Sequence, residues 1–451
     1  MTQEEALNIL KIGHNVFLTG QAGSGKTYTL NKYIEYLKAK NIGVAVTAST
    51  GVAASHLNGR TIHSWSGIRI KDDMTDKEVS DLSKNRTLGG NFRRAKVLII
   101  DEISMLHSFR LDLVQRILRI AKGNFEAFGG MQMVLCGDFF QLPPVTTNGE
   151  NPSDYFAFKS RSWDSMNLRV CYLESQYRNI DPVYYGMLNK IRTDTIDQEA
   201  VETLKSRYQK SIPYKEMTRL YTHNENVDAI NDVELSKLPG EPKTYFMQSS
   251  GLQKLVAELK RNCLAKEELS LKKGAVVMFV KNNFDRGYVN GTIGVVENFD
   301  EYGNPVVRSK NGNIIVALPE SWGFEEDGKI LAEISQVPLK LAWAISVHKS
   351  QGISLDAAEV DLSRAFEPGM GYVALSRIRT LDGLRLMGLN DVALKINAEV
   401  LEFDKELVEL SEKEARTVRS MLLKEIEDMQ NSFISKINPD SVGMSEQSGR
   451  V

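Results

Sequence analysis

The chain predicts an α/β protein with parallel sheets, organised as two α/β halves with a β-rich piece set into the second. Three observations carry this. Apolar runs alternate with helical stretches through residues 1–60. The runs Val97–Ile100 and Met133–Cys136 are apolar throughout, as strands covered on both faces must be. Residues 271–320 then change to Val/Ile alternation broken by turn sequences.

The elements follow in order. Val16-Phe17-Leu18 is a short buried-strand run ending in a Gly-rich turn, Tyr28–Lys38 reads as a polar helix, and Gly43–Thr47 is a second strand. This βαβ rhythm implies a parallel sheet. Lys71–Arg94 is polar, lacks strand-length apolar runs and reads as an insertion. The rhythm resumes at Val170, with Leu220-Tyr221 and Ala342–Val347 as later strands. Asn290-Gly291, Tyr302-Gly303-Asn304 and Asn311-Gly312 are hairpin turns, so residues 271–320 form a small antiparallel barrel inserted in the second half. Apolar positions at helical spacing run through 399–432, and Asn438–Val451 has a disordered composition.

Composition excludes several classes. A chain of 451 residues holds roughly two to four domains of ~100–200 residues. Lys plus Arg is 56 against 58 for Asp plus Glu, a net charge of −2, so an anionic polymer must be held by a local groove and not by bulk charge. Cys136, Cys171 and Cys263 are far apart without CxxC spacing, which excludes a disulfide framework or zinc-finger array and fits a reducing, cytoplasmic compartment. No apolar run approaches a membrane span, and the acidic start Met1-Thr2-Gln3-Glu4-Glu5 is no signal or transit peptide.

Gly20-Gln21-Ala22-Gly23-Ser24-Gly25-Lys26-Thr27 fits G-x-x-x-x-G-K-T between a strand and a helix. Such a loop wraps backbone N–H groups of Gly20, Ala22, Gly23, Ser24 and Gly25 around phosphates at a helix N-terminus. Lys26 reaches the β- and γ-phosphates and the Thr27 hydroxyl ligates Mg2+. Val97–Ile100 delivers Asp101 and Glu102 to the carboxyl end of a strand, where open α/β sheets bind ligands. Asp101 suits the Mg2+ shell, and Glu102 suits orienting and deprotonating the attacking water. Gln141, in Cys136-Gly137-Asp138-Phe139-Phe140-Gln141-Leu142-Pro143-Pro144, has an amide that can donate and accept beside a γ-phosphate. ATP is therefore the expected cofactor, with Mg2+.

An ordered set of further segments resembles the petite-integration-frequency (Pif) family of superfamily 1B DNA helicases. Gly20–Thr27 is similar to motif I, Ala48–Ala54 to motif Ia with Thr61-Ile62-His63-Ser64-Trp65 after it, and Asp101–Met105 to motif II. Gly137–Val145 resembles motif III, after Phe128–Gln132, which is similar to the end of the family's signature segment. Gln176-Tyr177-Arg178 resembles motif IV, Ser346–Gly352 motif V and Tyr372–Arg377 motif VI. Gln3 stands where the family reads adenine. The resemblance spans residues 1 to about 395.

It implies two RecA-like P-loop NTPase domains. The first is expected over 1–62 and 95–170, with a strand-separating wedge insertion at 63–94. The second is expected over 171–270 and 336–398, with an SH3-like β-barrel insertion at 271–335, and a C-terminal helix and disordered tail occupy 399–451. Arg178 and Arg377 are then arginines offered across the cleft, a role worth ~10³–10⁵ in phosphoryl-transfer rate, with Gln351 and Gly352 facing the nucleotide. Ser49, Thr50, Gly51, Thr61 and His63 from the first half, and His348, Lys349 and Ser350 from the second, become the single-stranded DNA contacts. Lys281, Asn282, Asn283, Phe284 and Arg286 form either a further nucleic-acid edge of the barrel or an exposed hairpin.

The resemblance implies an ATP-driven helicase that moves 5′ to 3′ on single-stranded DNA. It would unwind forked or tailed duplexes, with G-quadruplexes as a further substrate, and work as a monomer. A start at the helicase core, without the eukaryotic N-terminal extension, points to a bacterial or viral source or to a truncated chain. Two other readings stay open at this stage: an ATP-dependent nucleic-acid clamp or remodelling subunit that does not unwind, and a small-molecule kinase, which leaves residues 170–400 without a role.

Overall fold

The computed structural model describes residues 1–69, 71–144, 152–174, 181–211, 218–221, 227–283, 285–288, 290–309, 312–326, 329–347, 350 and 355–438. Its first layer is a six-stranded sheet, wholly parallel. The strands are β1 (Val16–Gly20), β2 (Val44–Ala48), β3 (Arg60–Thr61), β4 (Val97–Asp101), β5 (Gln132–Cys136) and β6 (Arg169–Leu173), in the spatial order β3-β2-β4-β5-β1-β6. Strands β1, β4 and β5 are buried along their whole length, which is why they read as unbroken apolar runs. Helices α1 (Gln3–Ile12), α2 (Lys26–Ala39), α3 (Gly51–His56) and α4 (Ile62–Ser66) surround the early strands.

The polar insertion folds as α5 (Asp76–Lys84) and α6 (Arg86–Arg94), docked on α7 (Ser108–Lys122). Polar clamps fix that docking. Arg110 of α7 bonds Asp72 at 2.7 Å, and Arg116 bonds the Met74 carbonyl at 2.7 Å and pairs with Asp73 and Asp76. A short helix, α8 (Arg161–Ser165), precedes β6.

The second parallel sheet has four strands, in the order Ala344–Ser346, β7 (Thr218–Tyr221), Ala358–Leu362 and Leu384–Leu389. Helices α9 (Pro182–Arg192), α10 (Gln198–Lys205), α11 (Val227–Lys237) and α13 (Met370–Ser376) belong to this half, with α12 (Gln253–Asn262) beside the inserted strands. Those strands form three antiparallel groups. Five strands between Val276 and Leu341 make a sheet around Val277, Phe279, Tyr288, Val296 and Val307. The hairpin Glu320–Glu326/Lys329–Gln336 recruits Gln248–Gly251, and Lys243–Phe246 pairs with Glu268–Leu271. The β-rich region thus draws strands from before residue 271.

The C-terminal region holds two helices, α14 (Ala398–Ser420) and α15 (Leu423–Ile437), separated at Met421 and Leu422. The expected tail from 439 onward lies outside the described residues. Helix α14 leaves the second half and lies along β6, the edge strand of the first sheet. The Tyr172 backbone N–H donates to the Ser411 hydroxyl at 2.9 Å, giving the edge strand a partner it would otherwise lack. Helix α15 packs on α1. Among the described residues no helix is long and apolar enough to cross a membrane.

Candidate nucleotide and nucleic-acid site

The phosphate loop joins β1 to α2. Gly20 has φ +135°, and a Cβ there would stand 2.6 Å from the Leu173 carbonyl oxygen and 3.0 Å from Ser24 Oγ, so only glycine admits this close approach. Gly25 (φ +90°) turns the chain into α2. The Ser24 hydroxyl is buried without a hydrogen-bond partner among the described residues. Lys26 Nζ donates to the loop carbonyls of Gly20 at 2.7 Å and Gln21 at 3.0 Å. Both observations fit a phosphate cradle. An unpartnered buried hydroxyl faces the loop, and a cation curls onto carbonyls that an anion can replace as its partner. Thr27 is exposed in the first turn of α2, and Gln3 Nε2 donates to the Ser24 carbonyl at 3.3 Å, so α1 brings Gln3 to the edge of the loop.

Asp101 and Glu102 close β4. Burial pushes both carboxyls up. Asp101 is held back by the Glu102 N–H at 2.9 Å, by the Cys136 thiol and by Lys26. Burial and the charge of Asp101 take Glu102 to about 7, opposed by Arg377 and Lys26. Glu102 also sits in the left-handed region at φ +51°, a strained conformation costing about 1–3 kcal/mol, of the kind that collects where a side chain must be aimed. A buried Asp101 and a partly buried Glu102 next to a phosphate loop, their charge only partly offset by Lys26 and Arg377, form a site short of positive charge. Thr27 and Asp101 are the residues that would hold Mg2+ there.

Gln141 and Arg377 come from opposite halves and meet. Arg377 Nη2 donates to Gln141 Oε1 at 3.2 Å, Arg377 Nε donates to the Val373 carbonyl at 3.1 Å, and Arg377 is 2% exposed. The start of α13 presses on the Gln141 segment at Gly369, whose added Cβ would lie 3.0 Å from the Phe140 carbonyl oxygen. Arg178, Gln351 and Gly352 lie outside the described residues.

The nucleic-acid candidates divide. Ser49 Oγ donates to the Glu102 carbonyl at 2.6 Å, Thr50 accepts from the Ala53 N–H at 3.2 Å, and Thr61 caps α4 by accepting from the Ser64 N–H at 3.2 Å. Ser350 is buried and donates to the Val347 carbonyl at 2.7 Å. In this structure these hydroxyls therefore shape turns. His63 Nε2 lies 3.3 Å from Arg110 Nη1, and burial together with that guanidinium lowers its pKa to about 4, so it is neutral at pH 7. His348 and Lys349 lie outside the described residues.

Gly51 lines a cavity of about 390 Å3 between the two halves, whose other walls carry Asn231, Arg261 and Lys340, together with Lys260 and Lys266 paired to Glu267 and Asp228 of the same wall. Sequence reasoning missed these basic positions. The cations in the last turn of α12 were the available signal. The barrel edge has a different character. Asn283, Arg286 and Tyr288 all bond Glu320 Oε1, at 2.7, 3.0 and 2.9 Å, and Lys281 lies 3.7 Å from its other oxygen, so one acid gathers this cluster. Phe284 lies outside the described residues.

A model of the PIF1-like helicase family matches residues 3–194, and a model of the DNA helicase Pif1 2B domain matches 254–299. The chain is 44% identical to the ATP-dependent DNA helicase Pif1 of a Psychrobacter strain, over 91% of this chain and 71% of that protein. It is 40% identical to the ATP-dependent DNA helicase PIF1 of Xenopus laevis over 89% of this chain, and it spans 63% of that relative's length. The fold is similar to the Bacteroides Pif1 complex with ADP-AlF4, with 30% identity, TM-score 0.75, and 90% and 96% of the two chains covered. It is also similar to Bacteroides Pif1 bound to single-stranded DNA, with 30% identity, TM-score 0.60, and 91% and 97% covered.

Proposed function

Because the chain belongs to the PIF1-like helicase family, we propose that it is an ATP-dependent DNA helicase that moves 5′ to 3′ on single-stranded DNA and opens forked or tailed duplexes. The observation that carries this is the Gln141–Arg377 hydrogen bond between the two halves. A γ-phosphate beside Gln141 would draw on the same arginine, so nucleotide state and domain closure become one variable. In this reading Lys26 and the loop N–H groups bind the phosphates, Glu102 takes the proton of the attacking water, and Arg377 and Arg178 stabilise the transferring group. Mg2+, held by Thr27 and Asp101, supplies charge at the phosphate oxygens. Gln3, Gln351 and Gly352 complete the nucleotide contacts.

The DNA strand runs through the cavity that contains Gly51, along Ser49, Thr50, Thr61, His63, His348, Lys349 and Ser350, with Arg261 and Lys340 on the opposite wall. We assign 1–62 and 95–170 to the first RecA-like domain, 63–94 to a wedge and 171–270 with 336–398 to the second domain. Residues 271–335 make the barrel, and 399–451 the C-terminal region. The protein acts as a monomer in the cytoplasm of a bacterium, and G-quadruplexes are a further substrate.

The test compares duplexes with a 5′ or a 3′ single-stranded tail, alongside ATPase rates with and without oligo-dT. Strong stimulation by oligo-dT with unwinding from the 5′ tail is expected. Unwinding from the 3′ tail alone would overturn the polarity, and stimulated hydrolysis with no unwinding of either would leave a clamp.

A further inference from the structure

Helix α9 carries a buried cation that the nucleotide chemistry described above does not use. Arg192 is 2% exposed, and its Nη1 donates to both carboxylate oxygens of Asp138, at 2.8 and 2.9 Å, and to the Tyr372 hydroxyl at 3.3 Å. Its Nη2 donates to the Tyr172 hydroxyl at 3.0 Å and to Asp404 at 3.3 Å. The guanidinium lies over the Phe140 ring, 4.0 Å from its centre. One side chain thus joins the loop after β5, the edge strand β6, α13 and α14.

The partners of this node lead to the reacting centre in two directions. Asp138 Oδ2 accepts from Gln141 Nε2 at 3.4 Å, and Gln141 Oε1 accepts from Arg377. The backbone of Ala22 in the phosphate loop acts on the Tyr372 hydroxyl, opposing the rise that burial causes in its pKa. One turn before Arg192 on the same helix face, Asn189 Oδ1 accepts from Gln21 Nε2 at 2.9 Å. The chemistry of the pair fixes its geometry. A carboxylate only accepts and a guanidinium only donates, so the Gln141 amide must turn its NH2 to Asp138 and its oxygen to Arg377. That holds only while Asp138 stays in place.

We propose that Arg192 is a positioning residue for ATP hydrolysis: by holding both oxygens of Asp138 it sets the Gln141 amide toward Arg377, and through Tyr372 and Asn189 it ties that setting to the phosphate loop. The inference rests on the reading of Gln141 as the γ-phosphate sensor. Arg192 does not touch nucleotide. A side chain with this role acts on turnover and not on nucleotide affinity.

The test measures steady-state ATPase of the full chain with oligo-dT, together with affinity for a fluorescent ATP analogue. Arg192→Lys keeps the buried charge but cannot span Asp138, Tyr172 and Asp404 together. Its kcat should fall about 10-fold to 100-fold, the scale of a small misplacement, with KM for ATP and analogue affinity within about twofold of the parent. The double variant Arg192→Met/Asp138→Leu removes the fully buried ion pair together, and the carboxylate it leaves, Asp404, is 19% exposed and can be hydrated or protonated. It should melt cooperatively near the parent and yet stay as slow as Arg192→Lys, because Gln141 has lost its acceptor. A double variant restored to the parent kcat would show that the pair only stabilises the fold, and would overturn the proposal. So would Arg192→Lys with unchanged kcat, or with a raised KM alone. Gln141→Ala is assayed alongside: turnover at the parent rate in that variant would instead remove the sensor reading on which the inference rests.

Discussion

Strands β4 and β5 are neighbours in one sheet, and both deliver carboxylates to the same edge, yet the acids meet opposite fates. Asp101, which ends β4, is buried and Glu102 beside it partly so, and desolvation with the charge of Asp101 raises Glu102 to about 7. Asp138, after β5, is fully buried but grips Arg192 with both oxygens. The difference is a directly bonded counter-charge from the second half of the chain: Arg192 bonds Asp138, whereas Arg377 acts on Glu102 only through its field. Where it is present, the carboxylate becomes a joint of the structure. Where it is missing, the carboxylates stand ready for a cation and a proton. Position at a sheet edge alone does not make a catalytic acid.

The comparison is broken most directly at Glu102. Glu102→Gln should lower DNA-stimulated kcat by roughly 10²–10⁴-fold, the range of a lost general base, with nucleotide affinity retained. Its unliganded melting temperature at pH 8 should rise, because a buried charge is gone. A fall in melting temperature would make Glu102 a joint like Asp138. Arg192→Met is the mirror case. It strands Asp138 without its partner and should cost about 3–5 kcal/mol in urea denaturation, where the double neutral variant recovers most of the loss. An effect below about 1 kcal/mol would show that the pair is not desolvated as described.

A third and smaller test extends the comparison to a base. His63, packed against Arg110, has its pKa lowered to about 4 from 6.5. The folded state therefore binds fewer protons than the unfolded chain between these values. Its stabilising effect is complete above pH 6.5 and is lost as pH falls toward 4. His63→Gln should flatten the pH–stability curve in that window by about 2 kcal/mol, read from melts at pH 7 and pH 4.5. An unchanged curve would mean that His63 is solvated and available to nucleic acid as a cation.

The parts of the site legible in the sequence are those whose chemistry is local. Gly20–Thr27 and Asp101-Glu102 each place their groups within a few residues, so spacing alone suffices. The parallel cores were legible too, because β1, β4 and β5 are covered on both faces. Arg192 was not, since Pro182–Arg192 reads as an ordinary helix and its carboxylate lies 54 residues away. The basic wall of α12 had no partner in view until folding set it opposite Gly51. Hairpin turns marked the barrel, but no local pattern says that Gln248–Gly251 joins the strand Lys329–Gln336. Likewise the helical period of 399–420 shows a helix without showing that Ser411 serves the edge of β6.

The packing of α15 on α1 bears on how the molecule is made. Helix α1 buries Ala6, Ile9 and Leu10 in one cluster with Val418, Ile426 and Ile434, Phe433 lies against Gly13, and Glu5 pairs with Arg419 across 414 residues. At ~5–20 residues per second, those partners leave the ribosome roughly 20–80 s after α1. A nascent chain can therefore carry a complete phosphate loop, with α1 already packed on α2, while the part of α1 that α15 covers is still exposed to chaperones. The packing that holds α1, and with it Gln3 at the edge of the phosphate loop, is completed only when residues 419–434 emerge.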